Sequence, residues 1–423
     1  MGALFTVAAC SPAGSKDAAS PNGPGSAATD AKRVAELRAR GPAELRQIGR
    51  ELDALAPNDP ARPALSETMD RVAGQHDAWA SRLFWYTDLA EAERVAHQSG
   101  KPILSLRMLG KLTDELSCAN SRFFRTVLYP DARVRQLLSE KYVLHWSSER
   151  PAPVISIDFG DGRKVVRTIT GNSIHYVLDE HGQPLDAMPG LVGAGAFVTW
   201  LGEAAALDAE ARAAAEGPAR IAVAIRYHAR KLQQLSAQFR TEAARLGIAQ
   251  TQPLPQMRPF AGTPTAAMAI PIAVSKAAVE NPMLRKMAPT YVPTNVPDVE
   301  STPWNKFAPL HASEARLDEN ARSVVRAKSP RDWRDARNPR KLDDAAFEDL
   351  VRALEASIAE DTAKNALAMH AQIHAWLANE PMLSYAGLNA RVYEIMFLTP
   401  ASDPWLGLVP PRVYTGLQDD GMR

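Results

Sequence analysis

The sequence from Pro102 to Arg125, PILSLRMLGKLTDELSCANSRFFR, decides the expected fold. Pro102 to Met108 is a short apolar run that is typical of a buried strand. The segment from Ser117 to Arg125 predicts a helix that opens on Cys118. The expected order is strand, loop, cysteine and helix, so the thiol should lie between the strand and the helix.

Helix and strand patterns continue on both sides of this stretch. An amphipathic segment that a glycine ends predicts a helix just before the strand. Two runs on either side of Gly160-Asp161-Gly162 predict a hairpin. The expected elements are helices over 87–100 and 132–139, and strands over 142–146, 154–158, 164–169 and 173–178.

This arrangement resembles the active-site segment of the thioredoxin superfamily, where a Cys-x-x-Cys pair starts the first long helix after a central strand. The resemblance covers 85–200. It implies an α/β thioredoxin-like domain with a central mixed sheet flanked by helices. The motif Cys118-Ala119-Asn120-Ser121 keeps the attacking cysteine but has serine in place of the resolving one. The position of the family's cis-proline falls near Ser173, so this second hallmark is absent too.

The resemblance implies single-thiol redox or mixed-disulfide chemistry at Cys118, with Cys118 and Ser121 as the candidate catalytic residues. A cysteine at a helix N-terminus faces unpaired N–H groups, which lower a thiol pKa from about 8.5 toward roughly 3.5–7.5. Arg122 and Arg125 are expected to add to this effect. The alternative is a buried, inert cysteine that is kept for packing.

The N-terminal residues resemble the end of a bacterial lipoprotein signal. Val7-Ala8-Ala9-Cys10 matches a lipobox, so Cys10 is the candidate lipidation site. Residues 11–30 are rich in Ser, Gly, Pro and Ala, and predict a flexible tether. The expected location is the cell envelope, facing the periplasm and anchored by lipid. The alternative is a disordered cytosolic N-terminus.

Composition narrows the function classes. The formal net charge of +1 gives no sign of a nucleic-acid binder. The chain has two cysteines, Cys10 and Cys118, so lipidation of Cys10 would exclude an internal disulfide. No apolar stretch reaches the roughly 18 residues that span a bilayer. No cofactor is expected, and the expected partner is a protein or a thiol reductant.

The expected organisation has five parts. Beyond residue 202 the pattern becomes helical, with a break near Gly217-Pro218 and the strongest helix over 343–379. The expected parts are a truncated lipoprotein-type signal over 1–10, a flexible tether over 11–30, N-terminal helices over 31–80, the thioredoxin-like domain over 81–202, and a mainly α-helical C-terminal region with proline-rich linkers over 203–423.

Two histidines offer a different function. His370 and His374 lie four residues apart on one face of the predicted helix over 343–379, as two metal ligands would. A structural role is the more common reason for such a pair, and we expect it here. His145 and His175 fall on predicted strands, where hydrogen-bonded core histidines are expected. Three classes therefore remain: an envelope thiol protein, a non-catalytic module that binds a protein partner, and a metal or cofactor protein that uses His370 and His374.

The lipobox generates the first testable prediction. Protein extracted from membranes should carry a diacyl or triacyl group on Cys10, and Ser11 resembles the outer-membrane sorting pattern of Gram-negative lipoproteins. Intact mass spectrometry checks the modification, and Cys10→Ala is the control that should lose it. Unmodified chains that retain Met1 and stay in the cytosol would contradict this assignment.

Overall fold

A computed structural model describes residues 24–248, 257, 259–260, 262–287, 302–332, 339–409 and 416–421. The candidate lipidation site Cys10 lies outside these residues, as do most of the predicted tether and most of the proline-rich linkers. None of the described helices combines the length and the apolar character that a membrane crossing requires.

The described strands form one larger sheet and two short pairs. They are β1 (Ile103–Leu109), β2 (Val143–Arg150), β3 (Val154–Asp158), β4 (Lys164–Thr168), β5 (Ile174–Leu178), β6 (Pro184–Pro189), β7 (Arg331–Asp332) and β8 (Arg340–Lys341). The larger sheet has the order β2-β1-β5-β6, in which β2 runs parallel to β1 while β5 and β6 are antiparallel to their neighbours. The mixed sheet and its helices confirm an α/β architecture.

Helices surround the sheet and account for most of the remaining described chain. They are α1 (Pro24–Ala39), α2 (Pro42–Ala54), α3 (Arg62–Ala73), α4 (Ala78–Ser81), α5 (Leu89–Ser99), α6 (Ala119–Phe123), α7 (Ala132–Lys141), α8 (Ala194–Ala213), α9 (Pro218–Arg245), α10 (Ala266–Ala269), α11 (Val274–Met287), α12 (Trp304–Phe307), α13 (Ala312–Ala315), α14 (Glu319–Lys328), α15 (Asp344–Lys364), α16 (His370–Asn379) and α17 (Tyr385–Arg391). Turns of π-helix extend α6 over Phe124–Leu128, join α15 to α16 over Asn365–Met369, and extend α17 over Val392–Met396.

Local sequence signals explain the elements next to the cysteine. The Asp88 side chain accepts a hydrogen bond from the Glu91 N–H at 2.8 Å and so caps α5. Gly100 ends this helix with φ of 66°, a conformation that glycine adopts without strain. The apolar run of β1 is buried almost throughout, as expected for a strand between two others. The predicted hairpin is confirmed as β3 and β4, which pair with each other outside the larger sheet.

Two of the predicted boundaries between parts of the chain fall inside helices. Helix α1 begins at Pro24, inside the segment predicted as tether. Helix α8 runs from Ala194 to Ala213, so the boundary predicted at 202–203 falls inside a continuous helix. Side chains from α2, the sheet and α16 also belong to one apolar core. Helix α16 contacts β6 directly, whereas α2 packs against α3 and shares the same core with the sheet.

A buried ion pair joins three parts of the chain beside the cysteine. Arg125, fully buried, donates to Asp77 at 3.1 Å and to the carbonyl oxygen of Asp114 at 3.2 Å. Lys328, from α14, donates to the same Asp77 carboxylate at 2.8 Å. This pair ties the N-terminal helices, the loop before Cys118 and the C-terminal helices together.

Replacing Arg125 by methionine should destabilise the protein by about 3–5 kcal/mol, because it removes one partner of a buried pair and leaves loop carbonyls unpaired. The matched control is Arg163→Met in the exposed β3–β4 turn, where Arg163 pairs with Asp161 in solvent. That change should cost no more than about 1 kcal/mol. Urea unfolding monitored by tryptophan fluorescence measures both, and equal losses would contradict the prediction.

Candidate functional site

The structure places Cys118 where the sequence predicts it, after β1 and before a helix. Its N–H donates to the Leu109 carbonyl at 3.3 Å, which fixes the cysteine beside the end of β1. Helix α6 begins at the next residue, Ala119. The side chain is fully buried, so a reagent can reach this thiol only if a covering element moves.

Two hydroxyl groups flank the sulfur. The Ser173 Oγ lies 3.0 Å from the Cys118 Sγ, and the Ser121 Oγ lies 3.5 Å from it. Ser121 donates its own hydrogen to the Cys118 carbonyl at 2.7 Å, so it can accept a hydrogen bond from the thiol. Ser173 is then free to donate to the sulfur. The structure thus brings together both candidate catalytic residues and the residue at the expected cis-proline position.

Helix α11 packs against α6, and its side chains bond Thr170 and Asn172 beside Ser173. One buried carboxylate holds the start of α11, because Asp361 of α15 accepts hydrogen bonds from the N–H groups of Val274 and Ser275. Burial raises the pKa of Asp361 to about 6. The Ser275 hydroxyl donates to the same carboxylate at 2.6 Å. This is an N-terminal cap supplied by another helix.

Helix α11 presents two charged side chains to the interior. The Lys276 Nζ donates to the Asn172 Oδ1 at 3.3 Å and lies 3.8 Å from the Glu280 carboxylate. Glu280 accepts from the Thr170 N–H at 2.7 Å. Burial lowers the pKa of Lys276, while the negative charges of Glu280, a Cys118 thiolate and Asp361 oppose that shift. Burial likewise raises the pKa of Glu280.

The contact beneath α11 leaves polar atoms unpaired. Among the described side chains, the Thr170 Oγ1, the Asn172 Nδ2 and the Glu280 Oε1 are buried without a hydrogen-bond partner. Each such atom costs roughly 1–3 kcal/mol relative to its state in water. Thr170 also has φ of 60°, which is strained for a β-branched residue. These costs lower the stability of α11 against local opening.

The two arginines near Cys118 have different hydrogen-bond partners. Arg125 pairs with Asp77 and donates to the Asp114 carbonyl, so its charge is already compensated, and its support of a thiolate stays a prediction. Arg122 donates to the Ser117 carbonyl and to the Thr168 hydroxyl, yet it remains within electrostatic range of Cys118. Burial lowers the pKa of Arg122, and the charge of a Cys118 thiolate opposes this.

The strand histidines are hydrogen-bonded and buried, as expected. The His145 Nδ1 lies 2.7 Å from the Ser105 Oγ, and the His175 Nε2 lies 2.7 Å from the Tyr129 hydroxyl. Burial lowers the pKa of His145 to about 4 and that of His175 to about 3. Both rings are therefore neutral at physiological pH.

His370 and His374 belong to a second buried polar group. The His370 Nε2 lies 2.9 Å from a carboxylate oxygen of Asp186 on β6. The His374 Nδ1 lies 2.8 Å from the Nδ1 of His228 on α9. The Tyr227 hydroxyl donates to the other Asp186 oxygen at 2.9 Å. Burial lowers the pKa of His228 to about 4 and lowers that of His374 well below 6.5.

Sequence reasoning missed several residues of both groups, although weak signals exist. Lys276 and Glu280 stand four apart in an otherwise apolar segment, a pattern that suggests an inward-facing ion pair. Asp186 is a charged residue inside the apolar strand β6. Asp361 and His228 carry no comparable signal, because polar residues on long helices are common.

Comparison with known proteins adds no assignment: no family model, curated protein or solved structure matches the chain.

The cap on α11 generates a prediction about thiol access. In a Cys10→Ser background, where Cys118 is the sole thiol, labelling by iodoacetamide should be slow in the native state and fast in guanidinium chloride. Asp361→Ala removes the cap, which costs about 1–2 kcal/mol and should speed native labelling roughly 5- to 30-fold.

Asp343→Ala is the matched control, because Asp343 caps α15 through the Ala346 N–H. It removes the same kind of cap from a helix whose N-terminus lies far from Cys118 in sequence. Its labelling rate should stay close to that of the unchanged background. Equal acceleration by both variants would show that labelling follows the general loss of stability rather than α11.

Proposed function

We propose that residues 81–202 form a thioredoxin-like domain and that Cys118 is a single redox thiol that forms mixed disulfides. The observation that carries this proposal is the Cys118 sulfur between Ser121 and Ser173, 3.5 and 3.0 Å away, beside the end of β1. The order of central strand, cysteine and helix also agrees with the resemblance. The mixed sheet with helices around it is compatible with that fold.

The proposed step is thiol–disulfide exchange. The Cys118 thiolate attacks one sulfur of a disulfide RSSR, a Cys118–S–S–R bond forms, and RS⁻ leaves. The Cys118 sulfur is oxidised and the departing sulfur is reduced. A second thiolate from outside then attacks the mixed disulfide and restores Cys118. Because a serine hydroxyl forms no disulfide, Ser121 cannot release the bound partner, and the adduct should persist.

Complete burial of Cys118 means that a covering element must move for this chemistry, and the proposed element is α11, which packs on α6. The unpaired polar atoms beneath α11 support such opening at a lower cost than unfolding of the sheet. The proposed partner is a protein disulfide or a small thiol that reaches the exposed site. The proposed location is the periplasmic side of the cell envelope, with the chain anchored through a lipid on Cys10.

The alternative is a non-catalytic thioredoxin-like module that binds a protein partner. The complete burial of Cys118 is the observation that favours it. In that case the sulfur fills space between the sheet and α11, and no adduct forms under native conditions.

Incubation with glutathione disulfide separates these functions. The Cys10→Ser protein should gain one glutathione on Cys118, detected by intact mass, and dithiothreitol should remove it. Ser121→Cys should instead lose two hydrogens, because a thiol at position 121 lies close enough to displace the adduct and close an internal disulfide.

Ser139→Cys on the exposed surface of α7 is the matched control, since it adds a second thiol that cannot reach the buried Cys118. It should carry separate adducts and no internal disulfide. Cys118→Ala should gain no adduct in the Cys10→Ser background. If Cys118 gains an adduct only after denaturation, the thiol function is wrong and the binding-module alternative is favoured.

A further inference from the structure

A second buried group lies where the sheet meets the C-terminal helices. Asp186 of β6, His228 of α9 and His370 and His374 of α16 converge there, and none is more than 3% exposed. Helix α16 packs against both β6 and α9. A turn of π-helix directly precedes His370, a feature that often lies at functional sites.

The donor atoms of three of these residues are close together. One ligand atom each from Asp186, His370 and His374 lies within 4.8 Å of the other two. His370 and His374 are one helical turn apart, and their rings are 4.1 Å apart between centroids. Two imidazoles and one carboxylate form a donor set that binds first-row divalent metals.

The hydrogen bonds of this group leave one lone pair without a donor. The His228 ring also bonds the backbone of Leu185, and a carbonyl there requires a ring N–H. A neutral His228 then has a bare Nδ1, so His374 must donate to it from its own Nδ1. The His374 Nε2 becomes a bare acceptor, and it is buried with no partner among the described residues.

We propose that Asp186, His370 and His374 bind one first-row divalent metal ion, with zinc as its simplest representative. His228 orients the His374 ring through the bond between the two Nδ1 atoms. Tyr227 and the Ala187 N–H, at 2.9 and 2.7 Å, fix the two oxygens of the Asp186 carboxylate. Such outer partners hold metal ligands in place in other proteins.

The charges of the group suit a cation. Burial opposes ionisation of Asp186, yet the neighbouring histidines, His370 foremost, hold its pKa well below the ordinary value. The lone pairs of this carboxylate and of the unpartnered His374 Nε2 are the kind of donors that such an ion accepts.

Metal binding must break the hydrogen bond between the His370 Nε2 and the Asp186 oxygen. The ring hydrogen of a neutral His370 then moves from Nε2 to Nδ1, so the Nε2 lone pair faces the ion and two metal–ligand bonds replace this hydrogen bond. Ligands about 2.0–2.1 Å from a tetrahedral ion lie about 3.3 Å apart. The present 2.9 Å separation must therefore widen by a few tenths of an ångström, which a side-chain rotation supplies.

The test uses full-length, tag-free protein that has been dialysed against a chelator. Titration with zinc chloride should end at about one equivalent per chain, read as protein-bound zinc by elemental analysis after dialysis. Titration with cobalt chloride should produce visible d–d bands of a protein-bound ion. His370→Gln and Asp186→Asn should lose the stoichiometric binding, and His228→Gln should weaken it by about 10- to 100-fold.

His76→Gln is the matched control, because His76, Asp77 and Glu115 form another group of possible ligands that is partly exposed. It should keep the cobalt spectrum and the affinity of the wild type. If the His370, Asp186 and His228 variants do not fold, the wild type still tests the site. Zinc should raise its melting temperature, and a chelator should reverse the rise. A wild type with no zinc-dependent shift and no cobalt bands, or a site lost only in His76→Gln, overturns the proposal.

Discussion

One buried carboxylate, Asp361, fixes the start of the helix that packs beside the thiol site. Asp361 accepts the two first N–H groups of α11 and thereby fixes this helix over the residues that surround Cys118. Without that cap, α11 would have unpaired N–H groups in a buried position, which is costly. Access to the sulfur and the burial of Lys276 and Glu280 both depend on this contact between α15 and α11.

The same region shows why stability is distributed unevenly. The strand β1 is apolar and paired on both sides, so its opening requires the core to unfold. Helix α11 instead buries two charged side chains of its own, Lys276 and Glu280, together with unpaired polar atoms. The free-energy cost of removing these groups from water offsets part of the stabilisation from its apolar contacts. A thiol that lies between these two surfaces can be inert on average and still become exposed in a minor state.

Local sequence patterns predicted the helices and strands near the cysteine, but they did not predict the long-range polar contacts. The apolar run of β1, the glycine that ends α5 and the Gly-Asp-Gly turn each act within a few residues, so the sequence alone indicates them. The resemblance placed Ser173 at the cis-proline position, and the structure shows its Oγ 3.0 Å from the Cys118 sulfur. The pairs Asp361–Ser275 and Asp186–His370 join residues 86 and 184 positions apart, and no periodicity specifies which partners meet. The boundary predicted at 202–203 lies inside α8, because composition changes there while the helix continues.

The most direct test compares hydrogen exchange with thiol labelling under one native condition. The opening free energy from Cys118 labelling should equal that of the α11 amides and be smaller than that of the β1 amides, because α11 opens while the sheet stays folded. Variation of the reagent concentration should show labelling reach a limit at the opening rate of α11. Labelling that instead tracks the β1 amides would show that Cys118 is exposed only by global unfolding, which would contradict a role for this thiol in native chemistry.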